Sequence, residues 1–403
     1  MKRILMTMAM VAAMCAVQGQ QTVTWEGGAT GEWSEGGNWS TGFPPDVGED
    51  VVIPGGVNVT LDVPTPLLGT VSVASGATLT FVDWTNCLSA AEVVVNGTLT
   101  HPVTDLAPFV YDYGTSAWDA PNPTYADRTN RIWIACGDFT LNGTINVNGK
   151  GFWGALGAGQ QGQGPGGGIE DQGGSHGGAA WGTSGSPLGA GVPFRLLGRV
   201  YGSITEPLYP GSGGGSRIPR TVSNSAANAE VGGCGGGAVA IEASGIVTLN
   251  GSILACGQDA FRNAPGGAGG SVYITADTLV ANNAAVIDVR GGNGWGSSRG
   301  NNGFPGGGGR VALHYVNSTG LGFMKLYAGG GAAVPFGGVG ASFSYLKPSD
   351  PGTLYMSDAS AFVGQGQDVT FLGGEIHIPD FNELTLTLSR LMLAKRSSRL
   401  TWC

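Results

Sequence analysis

Residues 232–257 read GGCGGGAVAIEASGIVTLNGSILACG, with five glycines in six residues set directly against an alternating apolar run. Strands disfavour glycine, which loses the most backbone freedom on ordering and has no side chain to pack. The juxtaposition nonetheless recurs: GGAGG at 266–270 leads into SVYITA, and GGGG at 306–309 leads into RVALHY. Such a motif is expected where the chain returns from an excursion and enters a strand, a crowded corner in which backbones approach closely and φ can turn positive.

The strands that follow the glycines repeat. RIWIACGDFTLNGTINVNGKG (131–151), AVAIEASGIVTLNGSILACGQDA (238–260) and SVYITADTLVANNAAVIDVRGGNG (271–294) share one template. It is an alternating strand, a turn, a second strand, Asn-Gly, and a third strand ending at glycine. VVVNGTLTHP carries the same step at Asn96–Leu99, residues 310–331 are a looser copy, and in the third copy Asn-Gly becomes Asn283-Ala284. No useful length shows the helical 3.6-residue period with caps. Strands this short cannot each bury an apolar face alone, but stacked coils can. The fold expected is therefore all-β, a right-handed parallel β-helix with long glycine-rich loop insertions. A β-sandwich series is the alternative, because Asn-Gly also suits hairpins. A packed polyglycine II layer is a third arrangement, whose three-residue glycine period is only sporadic here.

Composition agrees with a folded, glycine-punctuated chain. Of 403 residues 75 are glycine, 12% are charged and 41% hydrophobic. Residues 1–19 combine Lys2 and Arg3, an apolar stretch from Ile4 to Ala16 and small residues before Gly19, the pattern of a secretory signal peptide. Its removal takes two basic residues, so the net charge moves from −9 to −11. An acidic secreted chain is a poor partner for nucleic acid or anionic membrane, and the mature chain holds no transmembrane segment. Calcium and neutral glycans are compatible with it, although no cofactor motif is present. Cys87, Cys136, Cys234, Cys256 and Cys403 form no CxxC pair, so no zinc signature or disulfide framework is read. They are read as small buried residues, with one bridge among Cys136, Cys234 and Cys256 as the other option.

The chain divides into a signal at 1–19, a β segment at 20–100, coils at 101–345 with a glycine-rich insertion at 151–237, and C-terminal coils with a basic tail at 346–403. The insertion carries Trp153, Trp181, Phe194, Leu196, Leu197, Tyr201 and Tyr209, too many large apolar residues for a linker, and is expected as irregular loops on the solenoid flank. The basic ending does not cap a solenoid, which suggests a fragment or an aberrant tail.

Residues 39–100, with Trp39, Pro44-Pro45, GEDVVIPGGVNVTLD and the Gly-Ala-Thr-Leu and Asn-Gly-Thr-Leu steps, resemble the extracellular G8 domain, a module of paired β-strands. The Trp-Gly-Gly and Gly-Asn-Trp pieces before it resemble the starts of autotransporter-like surface proteins. The remainder, with YGS at 201–203, PGSGGG and GGGGRVAL, resembles secreted glycine-rich β-helix proteins of the pectin-lyase-like kind. That resemblance implies a cell-surface or matrix role, usually without an assigned reaction.

Polysaccharide-cleaving β-helices need carboxylates or a calcium cluster at set places. Ser175-His176-Gly177 and Arg217-Ile218-Pro219 lack the acidic partners of a polygalacturonase-like site, and Trp133-Ile134-Ala135-Cys136 lacks the polar pair of a pectate-lyase-like strand. GGGIED at 166–171 fails the calcium-repeat pattern, and His101, His176, His314 and His377 show no metal spacing, so no metal or catalytic residue is assigned. Asp112, Asp119, Asp127 and Arg128 form the strongest polar cluster, in an aromatic loop. Sugar stacking asks only for aromatics beside polar groups. The candidate ligand-binding residues are Tyr111, Tyr113, Trp118, Asp119, Asp127, Arg128, Trp153 and Tyr201, whereas Trp133 is expected to face the core or to stack. The function expected is a secreted or cell-surface structural or adhesion protein that binds an extracellular polysaccharide or cell-surface glycan without catalysis. A β-helical polysaccharide lyase or glycoside hydrolase is the alternative.

Overall fold

The computed structural model describes residues 21–103, 130–155, 161–169, 171–182, 195–196, 198–216, 232–260, 264–296, 303–335, 348–358, 371–372 and 374–379. Among them the chain is all-β, with only 3-10 turns at Gly36–Asn38 and Leu321–Phe323. Two long sheets, of 13 and nine strands, are parallel throughout. The first coils give one strand to each sheet, as Asp50–Ile53 and Asn58–Leu61 do, followed by Leu68–Val73 and Thr78–Phe81, whereas the coils starting at Ala238, Ser271 and Arg310 give two strands to the larger sheet and one to the smaller. Stacking continues to Thr353–Met356 and Glu375–His377. The parallel register excludes the β-sandwich alternative, which needs antiparallel neighbours.

Alternation decides which side chains face in. Register stacks Val51, Val71, Val93, Phe139, Val247 and Leu279 in one column, and Val59, Leu79, Leu99, Ile145, Ile253, Ile287 and Leu326 in another. All are essentially fully buried. Strands about 4.8 Å apart bring each member into van der Waals contact with the next, so the core is a set of continuous ladders. At the N-terminal end, the buried Trp39 ring stands edge-on to Trp25 and Trp33 at centroid distances of 5.1 and 4.7 Å, and its Nε1 donates to Trp33 O.

The Asn-Gly steps are corners between sheets rather than hairpins. The Asn142 amide donates to Asn96 Oδ1, Asn250 to Asn142 Oδ1, and Asn282 to Asn250 Oδ1, at 2.9, 2.9 and 2.6 Å. In the third repeat the ladder residue is therefore Asn282, one position before the Asn283 expected from alignment.

The glycines of 232–237 are buried and extended but belong to no sheet. Gly232 and Gly235 donate to Ala155 O and Phe152 O, while Gly233 and Gly236 donate to Pro265 O and Ala268 O. Gly214 and Gly211 in turn donate to Gly233 O and Gly236 O. The segment is thus hydrogen-bonded on three sides, where a flat sheet offers two, and successive bonds point in directions that return every third residue. This is polyglycine II geometry, and consecutive glycines satisfy it in any phase, so no strict sequence period is needed. Within the insertion, 232–237 with its neighbours 151–155 and 211–214 is therefore regular, whereas 198–210 runs in bends and unassigned backbone. None of these glycines has positive φ. Close approach is what requires them: a Cβ on Gly235 would lie 1.8 Å from Gly211 O, and one on Gly236 2.0 Å from Ala255 O. Segments 264–270 and 303–309 stack on the same layer, each feeding the next coil's strand.

Candidate functional site

In Ile132–Leu141, Ile132 and Ile134 point into the core, so Trp133 points outward. Outward neighbours in its row are Ala240, Tyr273, Ala312 and Tyr355, aromatic and small residues in turn. Residues 198–210 cross this face. Arg310 Nε donates to Tyr201 O at 2.9 Å and His314 Nε2 meets Thr205 O at 2.6 Å. The crossing covers the outward Ala240 and Ala312, which are buried despite facing away from the core.

The margin of this strap gathers polar and aromatic groups. Arg131 lies between two indoles, with Cζ 4.6 Å from the Trp84 ring and 4.2 Å from the Trp133 ring, and its Nε donates to Trp84 O at 2.8 Å. Tyr209, 48% exposed, stacks near-parallel to Trp84 at 6.3 Å. Trp133 Nε1 donates to Glu242 Oε1 at 3.1 Å. Burial pushes the Tyr273 hydroxyl up to about 12, with Glu206 and Glu242 adding to the shift through their negative charge. Burial likewise raises the Cys87 thiol, which sits in the field of both Arg131 and Glu242. The arrangement offers flat aromatic faces beside two exposed carboxylates, as sugar recognition requires.

Of the residues singled out from sequence, Tyr111, Tyr113, Trp118, Asp119, Asp127 and Arg128, with Asp112, lie outside the described residues. The described ends of that stretch meet at Asn130, which accepts from Asp83 N and whose amide reaches Pro102 O. Trp153 lies within the glycine layer, where Gln163 N donates to its carbonyl. Tyr201 anchors the strap: its hydroxyl donates to Pro210 O and accepts from Ser212 Oγ, and its ring packs on His176 at 4.7 Å. Neither Trp153 nor Tyr201 joins the cluster at Trp133, and Trp133 itself faces outward. The alternation Ile-Trp-Ile could have placed it there. Nothing local in the sequence could bring Trp84, Tyr209 and Glu242 together.

Two buried histidines lie elsewhere. His101 Nδ1 donates to Pro102 O and its Nε2 accepts from Ala238 N, and burial lowers it to about 4. Burial, then the Arg310 charge, lowers His176 to about 3. Cys87, Cys136, Cys234 and Cys256 are free thiols, so none of Cys136, Cys234 and Cys256 is bridged to another. Among the described residues no group of three or more His, Cys, Asp or Glu could hold a metal ion, and no helix is long and apolar enough to cross a membrane.

No curated protein and no solved structure matches the chain. Residues 38–110, less than a fifth of it, match the G8 domain, and they lead from the tryptophan-lined first coil to the strand before Trp133.

Proposed function

We propose that this is a secreted or cell-surface structural and adhesion protein that holds an extracellular glycan against the outer face of its solenoid. Its coils follow the right-handed, pectin-lyase-like course, and residues 1–19 direct export. The observation that carries the proposal is the group Trp84, Arg131, Trp133 and Tyr209 beside Glu206 and Glu242, drawn from separate coils and from the strap. Rigid aromatic faces with polar neighbours bind sugars at low entropic cost. A glycan array on the full chain tests it: binding that Trp133→Ala removes is expected, and binding to no glycan overturns it.

Exposed Glu206 on the strap and Glu242 at the Trp133 indole favour a second reading, a polysaccharide hydrolase. One carboxylic acid would protonate the leaving glycosidic oxygen while the other carboxylate takes a proton from the attacking water. New reducing ends on incubation with neutral and acidic polysaccharides, abolished by Glu242→Gln, would establish it.

A further inference from the structure

The charge that the Trp133 face presents to a ligand is not the charge it contains. Arg131 is only 8% exposed, both faces of its guanidinium are covered by Trp84 and Trp133, and its Nε is engaged by Trp84 O. The cation is screened from a ligand by the two indoles, although Glu242 lies within its field. Glu206 and Glu242 are exposed, and the ion pairs of the described residues, Arg290 with Asp288 and His377 with Glu375, involve neither. The Trp133 Nε1 donor holds one oxygen of Glu242 without neutralising it. Thr205 O, bound to His314, and Glu206 N, donating to Ser203 Oγ, hold Glu206 on the strap. A ligand therefore meets aromatic surface rimmed by two exposed carboxylates, neither of them in an ion pair among the described residues, on a chain of net charge −9.

We infer, resting on the glycan reading above, that the ligand is a glycan bearing protonated amines, stacked on Trp133 with its ammonium groups against Glu242 and Glu206. Uronate and sulfate polymers would meet like charge and are disfavoured. Ammonium groups gain from both the carboxylates and the indole face.

The test titrates the full chain with soluble glucosamine oligomers, their N-acetylated counterparts and oligogalacturonate, at a pH where the amines are protonated. Glucosamine oligomers should bind about tenfold more tightly than the acetylated ones, and oligogalacturonate should not bind. The double variant Glu206→Gln/Glu242→Gln should erase the preference while leaving the weaker acetylated binding in place. Neutralising Glu26 and Glu35, exposed four coils away, should leave the preference intact. Equal binding of acetylated oligomers, or equal loss in the Glu26/Glu35 control, overturns the inference but leaves glycan binding standing. Failure of all three ligands overturns the inference, and the glycan array then decides separately whether the glycan reading stands.

Discussion

Trp133 Nε1 and Glu242 Oε1 lie 3.1 Å apart although 109 residues separate them in sequence. The register pairing Trp133 with Ala240 brings the two coils together, and the indole faces outward only because Ile132 and Ile134 face inward. Trp133→Ala should weaken glycan binding by at least tenfold, the size of a binding hot spot. Trp133→Phe, which keeps the ring and loses the donor, should weaken it less. Calorimetric titration checks both, with unfolding midpoints recorded alongside to separate loss of binding from loss of the Trp133 stack on Arg131.

The glycine layer yields a sharper stability prediction. Gly235→Ala and Gly236→Ala place a methyl 1.8 and 2.0 Å from carbonyl oxygens of neighbouring segments, so backbones must separate. Each should cost about 3 kcal/mol or more. Gly37→Ala, with nothing within 4 Å of the new methyl, should be neutral or slightly stabilising. Urea unfolding of the three variants compares them, and equal midpoints would refute the close-packed layer.

Asn142 takes part in two links of the amide ladder and Asn96 in one. Asn142→Ala should cost about 1–2 kcal/mol and Asn96→Ala about half of that. Thermal unfolding that ranks them in the opposite order would show that the ladder amides are decorative.

Acid should destabilise the fold in a defined window. Neutral His101 and His176 are held at about 4 and about 3, against the ordinary 6.5. The unfolded chain therefore takes up protons first as pH falls, so stability is complete above 6.5 and declines through 4 for His101 and toward 3 for His176. At full extent the loss is about 3 kcal/mol for His101 and about 5 kcal/mol for His176. In His101→Gln the dependence between pH 6.5 and 4 should be shallower. A slope matching that of the parent protein would remove His101 as a cause.

Much of the architecture was legible in residue order. Period-two alternation and recurrence of the Asn-Gly template suffice for stacked parallel coils, because each strand buries its apolar face only against the next copy. Close glycine approach at 232–237 was legible too. Its geometry was not: three-sided hydrogen bonding depends on which excursions lie beside one another, and consecutive glycines accept any phase. The candidate site was the least legible part. Its aromatics, carboxylates and arginine sit at 84, 131, 133, 206, 209, 242 and 273, and only the coil register and the strap held by Arg310 and His314 bring them to one face. Sequence by itself determined the repeating coil, since burial of alternating side chains is a local periodic demand. Tertiary structure alone decided where the functional side chains meet, since that depends on stacking distance and not on separation along the chain.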